Sequence, residues 1–183
     1  ASDLLNNCIT YGTIPFSTIA RVGFIGSILL KSAISYSKLD NSFYDQFLNS
    51  LSTPLSEIHH DLLASSTGTL SKSKFLSKYG HLRPGTYDIT ALRYDMNNKF
   101  FEDIKFHKPI KSKSNSLSNN SQILKTIQNS PLDFSSNDFF NFIKKSLEQR
   151  EFLKFEFTKN LSLSLELIVV AASKLGFSRS DKS

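Results

Sequence analysis

The sequence predicts an all-α protein, an irregular multi-helix bundle with a long C-terminal helix, on three observations. Apolar residues recur at three- and four-residue spacing through most of the 183 residues. Strand-like alternation is nearly absent; Phe152 to Phe157 alternates loosely, but Glu and Lys fill its other positions and helical sequence continues on both sides. Ser, Thr, Asp and Asn stand where helices would be capped, and Gly or Pro where they would stop.

Each element follows from those signals. Pro15, then Phe16 and Ser17, reads as a helix start. Ile19, Val22, Gly23, Ile25, Gly26, Leu29, Leu30 and Ala33 form its stripe, and Phe24 and Ile28 widen it enough to predict burial on most sides. Asp40 or Asn41 can cap a second helix carrying Phe43, Tyr44, Phe47, Leu48 and Leu51. Thr53-Pro54 opens a third, which stops near Gly68. Ser71 opens a fourth with Phe75, Leu76 and Tyr79, which Gly80 should end as a C-cap glycine. One short helix is expected within 95–104 and another over Ile123 to Ile127, ending before Pro131. From Ser135 or Ser136 a long helix, whole or broken near Asn160, runs towards Gly176. The expected organisation is one domain: a helical region over 1–104, a basic Ser/Asn/Lys connector over 105–120, and C-terminal helices over 121–183 packing on the first region.

Composition bounds the function classes. Net charge is +6, with the excess at Lys105, Lys108, Lys111 and Lys113 and again at Lys174, Arg179 and Lys182; such runs read as solvated loops. The single Cys8 offers neither an intrachain disulfide nor a zinc ligand set, which fits a reducing, cytoplasmic setting. The most apolar run, Val22 to Leu30, is well short of the ~20 residues of a membrane-spanning helix. No nucleotide cradle, nucleophile elbow or zinc-protease pattern occurs, and His59 and His60 point to different faces of one helix, so no metal site is expected. The chain opens at Ala1 without an initiator Met and ends on Ser183 without a terminal element, so a piece of a longer protein is expected.

Chemistry concentrates in Tyr79-Gly80-His81-Leu82-Arg83-Pro84-Gly85-Thr86-Tyr87-Asp88-Ile89. Arg83 offers a planar fork suited to phosphate or carboxylate, His81 can titrate or donate, and Tyr79 and Tyr87 can stack or hydrogen-bond. The alternative is structural: Arg83 pairs with Asp88, Gly85 supplies a positive φ, and the tyrosines pack the loop onto the helices. Gly80, Pro84, Gly85 and Asp88 shape the loop on either reading.

Phe75 to Ile89, followed by Arg93-Tyr94-Asp95, resembles a segment of phosphoenolpyruvate synthase-like proteins of the pyruvate, phosphate dikinase superfamily, which includes the rifampin phosphotransferases. Ile14-Pro15-Phe16-Ser17 with Ala20-Arg21 and Phe24-Ile25 is similar to the entry into that family's middle region. Arg150-Glu151, Lys154-Phe155 and Phe157-Thr158-Lys159 resemble the helix leading out of it.

The resemblance implies the central helical or acceptor-binding region between an ATP-grasp domain and a phosphohistidine domain, inactive alone. ATP and Mg belong to the parent protein, with no cofactor in this region, and the other partner is a small-molecule phosphoryl acceptor. None of the four histidines has the Thr- and Gly-rich lead of the family's carrier, so His81 is not expected to carry phosphate. Residues expected to touch substrate are Arg83 and His81 first, then Tyr79, Tyr87 and Arg93, with Arg21 added; none is expected to be catalytic. The rival reading is a basic helical module for nucleic acid or an acidic protein, against which stand sparse arginine and lysines not interleaved with a recognition helix.

Overall fold

In a computed structural model of the chain, which describes residues 2–103, 120–131 and 133–180, helices account for all regular structure among the described residues. The expected all-α class is what is found. In order come α1 (Ser2–Asn7), a π-helical segment (Cys8–Thr13), α2 (Ile14–Tyr36), α3 (Ser42–Asn49), α4 (Pro54–Ser66), α5 (Lys72–Tyr79), α6 (Phe100–Asp103), α7 (Ser121–Gln128) and α8 (Ser136–Ser173). The connector expected over 105–120, with His107, lies outside the described residues but for Asn120.

Capping chemistry sets most starts. The Asp40 carboxylate accepts from the Ser42 N–H at 2.7 Å and opens α3, whereas Asn41 makes no side-chain cap. Ser71 Oγ accepts from the Lys74 N–H and opens α5. Asn120 Oδ1 accepts from the Gln122 and Ile123 N–H groups and opens α7. Ser135 Oγ accepts from the Asp138 N–H and donates to its carboxylate, a reciprocal cap on α8. That helix then continues unbroken past Asn160.

Pro15 does not start a helix. The chain is already helical from Ser2, and just before the proline the turn widens: the Ile14 N–H bonds the Ile9 carbonyl, five residues back. A proline ring inside an α-helix clashes with the carbonyl four residues earlier, here Tyr11, and the wider π turn relieves that clash. The continuous helix Ser2–Tyr36 therefore holds an 18-residue window of mean hydropathy 1.5, of which only 17% is buried. It is long and apolar enough to cross a membrane by length and composition, which the Val22 to Leu30 run alone did not suggest.

The chain falls into two compact units. One comprises Phe16–Thr53 and Pro109–Phe152. Its core joins Leu30, Ala33 and Ile34 of α2 with Leu51, with Ile123 and Ile127 of α7, and with Phe139, Phe140, Ile143 and Leu147 of α8. The buried face of α2 runs from Gly23 and Gly26 to Leu30, Ala33 and Ile34. A Cβ on Gly26 would stand 2.6 Å from Ser146 Oγ, and one on Gly23 3.2 Å from Arg150 Cδ, so α8 lies close against these glycines. Phe24, Ile25 and Ile28 point away and are 61%, 52% and 62% exposed, which overturns the expected burial of α2 on most sides.

The other unit comprises Ala1–Pro15, Pro54–Lys108 and Leu153–Ser183. Phe75, Tyr79 and Phe100 centre its core, with Ile58, Leu62, Tyr94, Phe101 and Phe155 packed around them. Gly12 in the π segment lets the backbone approach Phe157, whose Cβ would stand 2.8 Å from an added methyl.

The α2–α8 contact is tested by a double-mutant cycle in thermal unfolding. Gly26→Ala should destabilise although alanine favours helix, and Ser146→Ala should relieve it, with a coupling of about 1–2 kcal/mol. Additive effects would mean that the helices do not meet there.

Candidate functional site

The Tyr79–Ile89 loop leaves α5 under tight steric control. Tyr79 is fully buried, and its hydroxyl donates to Asp61 Oδ2 at 2.7 Å. Burial, together with the hydrogen bond to that carboxylate, pushes the phenol up to about 12 although Lys78 opposes. Lys78 in turn bridges Glu57 and Asp61 at 3.0 and 3.1 Å. Gly80 is not the left-handed cap glycine that its position suggests; its φ is −58°. It is required for space, because a Cβ there would run into the Leu76 carbonyl oxygen and approach Asp95 Cβ to 2.8 Å.

Arg83 is the hub of the loop, with only 1% of its side chain exposed. Its Nη1 donates to the carbonyls of Asp88 (3.2 Å) and Ala91 (3.3 Å). Its Nη2 donates to the carbonyl and hydroxyl oxygens of Ser162 (3.1 and 3.0 Å) and to Glu166 Oε1 (3.0 Å). Ser162 Oγ donates onward to the His81 carbonyl at 2.6 Å. The Glu166 carboxylate, 6% exposed, also receives Arg179, with Nη2 at 2.6 Å from Oε2 and Nη1 at 3.3 Å from Oε1. Arg179 Nη1 further donates to the carbonyls of Ile89 (2.9 Å) and Ala91 (3.4 Å). Burial alone would raise the Glu166 carboxyl, but the two guanidinium groups outweigh it and hold it below the usual carboxylate range. Burial likewise lowers Arg83, against the pull of Glu166.

This corrects the expected Arg83–Asp88 ion pair. Arg83 takes the Asp88 carbonyl, while the Asp88 carboxylate accepts from the Thr90 N–H and hydroxyl at 2.8 and 2.6 Å. The fork matches a carboxylate as expected, but that carboxylate belongs to the chain itself.

His81 is half-buried, with its ring edge-on to Phe155 at 4.8 Å between centroids. Burial first, then Lys159 and Arg93, bring it down to about 4, against Glu156 and the Phe155 backbone. It is therefore neutral at neutral pH and brings no positive charge to an anion. Its Nε2, and the Nε of Arg83, have no hydrogen-bond partner among the described residues. Gly85 has the expected positive φ, +67°, and the Asp88 N–H closes a turn on its carbonyl at 2.9 Å. Pro84 is exposed, and Tyr87 is 66% exposed rather than packed on the helices. Arg93 forks onto Asp95 at 3.0 and 2.5 Å. Arg21 is exposed on α2, in the other unit.

The loop and the Arg93–Asp95 turn bonded back onto it thus gather every candidate but Arg21, and they turn most of the polar groups inward. Sequence reading missed Asp61, Ser162, Glu166 and Arg179. Ser162 and Glu166 lie four residues apart on α8, and that spacing of polar residues in a leucine-rich stretch was the available signal. Arg179 is not the solvated cation its surroundings suggested, whereas Lys174 is exposed. Among the described residues no three His, Cys, Asp or Glu side chains converge as a metal centre would need. A cavity of about 130 Å³ beside Cys8, Gly12 and Phe157 is smaller than the ~300 Å³ at which ligand pockets begin. No family model matches the chain, and no curated protein or solved structure matches it either.

Two measurements check this electrostatic account. Glu166→Gln leaves the buried Arg83 and the partly exposed Arg179 without a counter-charge and should cost about 3–5 kcal/mol in chemical denaturation. Arg83→Met leaves Glu166 paired with Arg179 and should cost less, about 2–3 kcal/mol for the orphaned carbonyls; the reverse order would contradict the shared-carboxylate arrangement. For His81, the unfolded chain binds a proton near pH 6.5 and the folded chain only near 4. Stability is then fully present above 6.5 and falls by roughly 2–3 kcal/mol as pH drops from 6.5 to 4. His81→Phe should flatten that interval, and an unchanged slope would assign it to other groups.

Proposed function

We propose that this chain is the central helical, acceptor-side region of a cytoplasmic, ATP-dependent phosphotransferase resembling phosphoenolpyruvate synthase, without turnover of its own. One observation carries the reading: the loop that holds the resemblance is clamped by Arg83 and Arg179 and presents a single large exposed side chain, Tyr87, at its tip. Phosphoryl transfer depends on positioning and electrostatic stabilisation more than on covalent participation, and a braced loop serves positioning. Tyr87 then contacts the acceptor or the domain that delivers the phosphoryl group. Arg83, His81, Tyr79 and Arg93 hold the loop in shape behind it.

The exposed apolar side chains of α2 support the same reading. Phe24, Ile25 and Ile28 form a patch of the kind that marks an interaction surface, and the ATP-grasp or phosphohistidine domain of the parent would cover it. ATP and Mg would be handled by the ATP-grasp domain, outside this region. Four of the five arginines (Arg83, Arg93, Arg150 and Arg179), the side chains best shaped to fork onto phosphate, are engaged with the chain's own carboxylates, which counts against the nucleic-acid reading.

The test uses the full parent protein. Tyr87→Ala should lower kcat/KM for the acceptor by about tenfold or more while ATP-dependent phosphorylation of the carrier histidine continues. Unchanged acceptor turnover would remove Tyr87 from the acceptor side. A reading frame without ATP-grasp and phosphohistidine segments would remove the class, and partitioning of the chain into lipid vesicles through α2 would reassign its apolar face.

A further inference from the structure

Glu166 holds two guanidinium groups, and they are not equivalent. Arg83 is 1% exposed in its side chain and reaches the carboxylate from inside the loop. Arg179 is 23% exposed and reaches it from the segment that follows α8. The end of α8 is built to turn that segment back. The Gly176 N–H bonds the Ser173 carbonyl, the Phe177 N–H bonds the Ala172 carbonyl, and Gly176 sits at φ +86°, the pattern of a Schellman reversal. Three residues later Arg179 meets Glu166 and the carbonyls of Ile89 and Ala91, the exit side of the loop.

Removing either arginine has a different consequence. Without Arg83 a deeply buried fork is lost, and three carbonyls, of Asp88, Ala91 and Ser162, lose a donor. Without Arg179 the Arg83–Glu166 pair remains, neutral and hydrogen-bonded, and Arg179 can be solvated where it already meets water. A buried ion pair resists opening because an unpaired charge is left behind. Release of Arg179 leaves none.

We infer that the segment Leu175–Ser180 is a releasable strap: docking of Arg179 on Glu166 locks the exit of the loop, and undocking loosens residues 86–92 without unfolding the unit around them. The strap makes the rigidity of the Tyr87 tip conditional on the position of the chain just beyond α8. Displacement of that chain, or an anion competing for Arg179, would unlock the loop. The inference holds whatever reaction the parent performs.

Hydrogen exchange of the intact chain, followed by mass spectrometry, tests it. In Arg179→Ala, peptides covering 86–96 should exchange about tenfold faster, while α5 and the 153–173 part of α8 keep wild-type rates. Gly176→Val, which keeps every charge but opposes the positive φ, should loosen the same peptides. Because Arg179 is partly exposed, about 1 M salt should shift wild type towards the Arg179→Ala pattern and leave that variant unchanged. Wild-type rates over 86–96 in Arg179→Ala would overturn the strap. So would acceleration throughout the unit to the extent seen in Glu166→Gln, because Arg179 would then be a permanent staple.

Discussion

A single carboxylate, Glu166, shared between Arg83 and Arg179, is the constraint on which the chemically rich part of this molecule depends. Burying Arg83 and Glu166, with Arg179 partly buried beside them, is expensive and is tolerated only where each charge is paired and further hydrogen-bonded. Here the two guanidinium groups also take carbonyls from Asp88, Ile89, Ala91 and Ser162, so one electrostatic centre fixes a loop that has no regular structure of its own. Long-range order in the loop comes from α8, whose single turn from Ser162 to Glu166 supplies both the hydroxyl that bonds the His81 carbonyl and the carboxylate that anchors Arg83. The aromatic core of Phe75, Tyr79 and Phe155 sets the distance between α5 and that turn.

How much of this was legible follows from where the information lies. Helix starts were readable because a cap is local: Asp40, Ser71 and Ser135 bond backbone two or three residues on. Helix ends at Gly68 and Gly176 were readable because glycine tolerates a positive φ cheaply. The end of α2 was not, since the same reversal is made there by Lys38 at φ 54°, with the Leu39 N–H bonded to the Ile34 carbonyl. Gly80 misled for the converse reason. It stands at the end of a helix, yet it is needed for the approach of Asp95 and not for its dihedral angles. Chemistry was harder still. A motif shows which groups are present, but whether Arg83 faces a ligand or Glu166 depends on a residue 83 positions away.

The two faces of α2 illustrate a related limit. Hydrophobic periodicity placed Ile25 in the buried stripe, and Phe24 and Ile28 widened that stripe far enough to predict burial on most sides. The buried face belongs instead to Gly23, Gly26, Leu30, Ala33 and Ile34. Glycine stands at the start of that face because α8 approaches closely there; a Cβ at Gly26 would meet Ser146 Oγ and come within 3.6 Å of Ile143 Cα. Close packing over Gly23 and Gly26 thus fixes which side of the helix meets α8 and leaves Phe24, Ile25 and Ile28 exposed.

These orientations bear on what the loop could contribute to a phosphoryl transfer. An approaching phosphate would meet His81 in its neutral form, Arg83 bonded on both terminal nitrogens, and Arg93 forked on Asp95. None of the three has a free full charge to offer, so the loop itself would bring little positive charge to a transferring group. What remains to the loop is geometry. Its tip is carried on a turn closed by Gly85 and Asp88, and the rigidity of that turn is inherited from a carboxylate buried on another helix. A motif rich in histidine, arginine and tyrosine need not be a site of reaction. Here it builds the mount for one exposed ring.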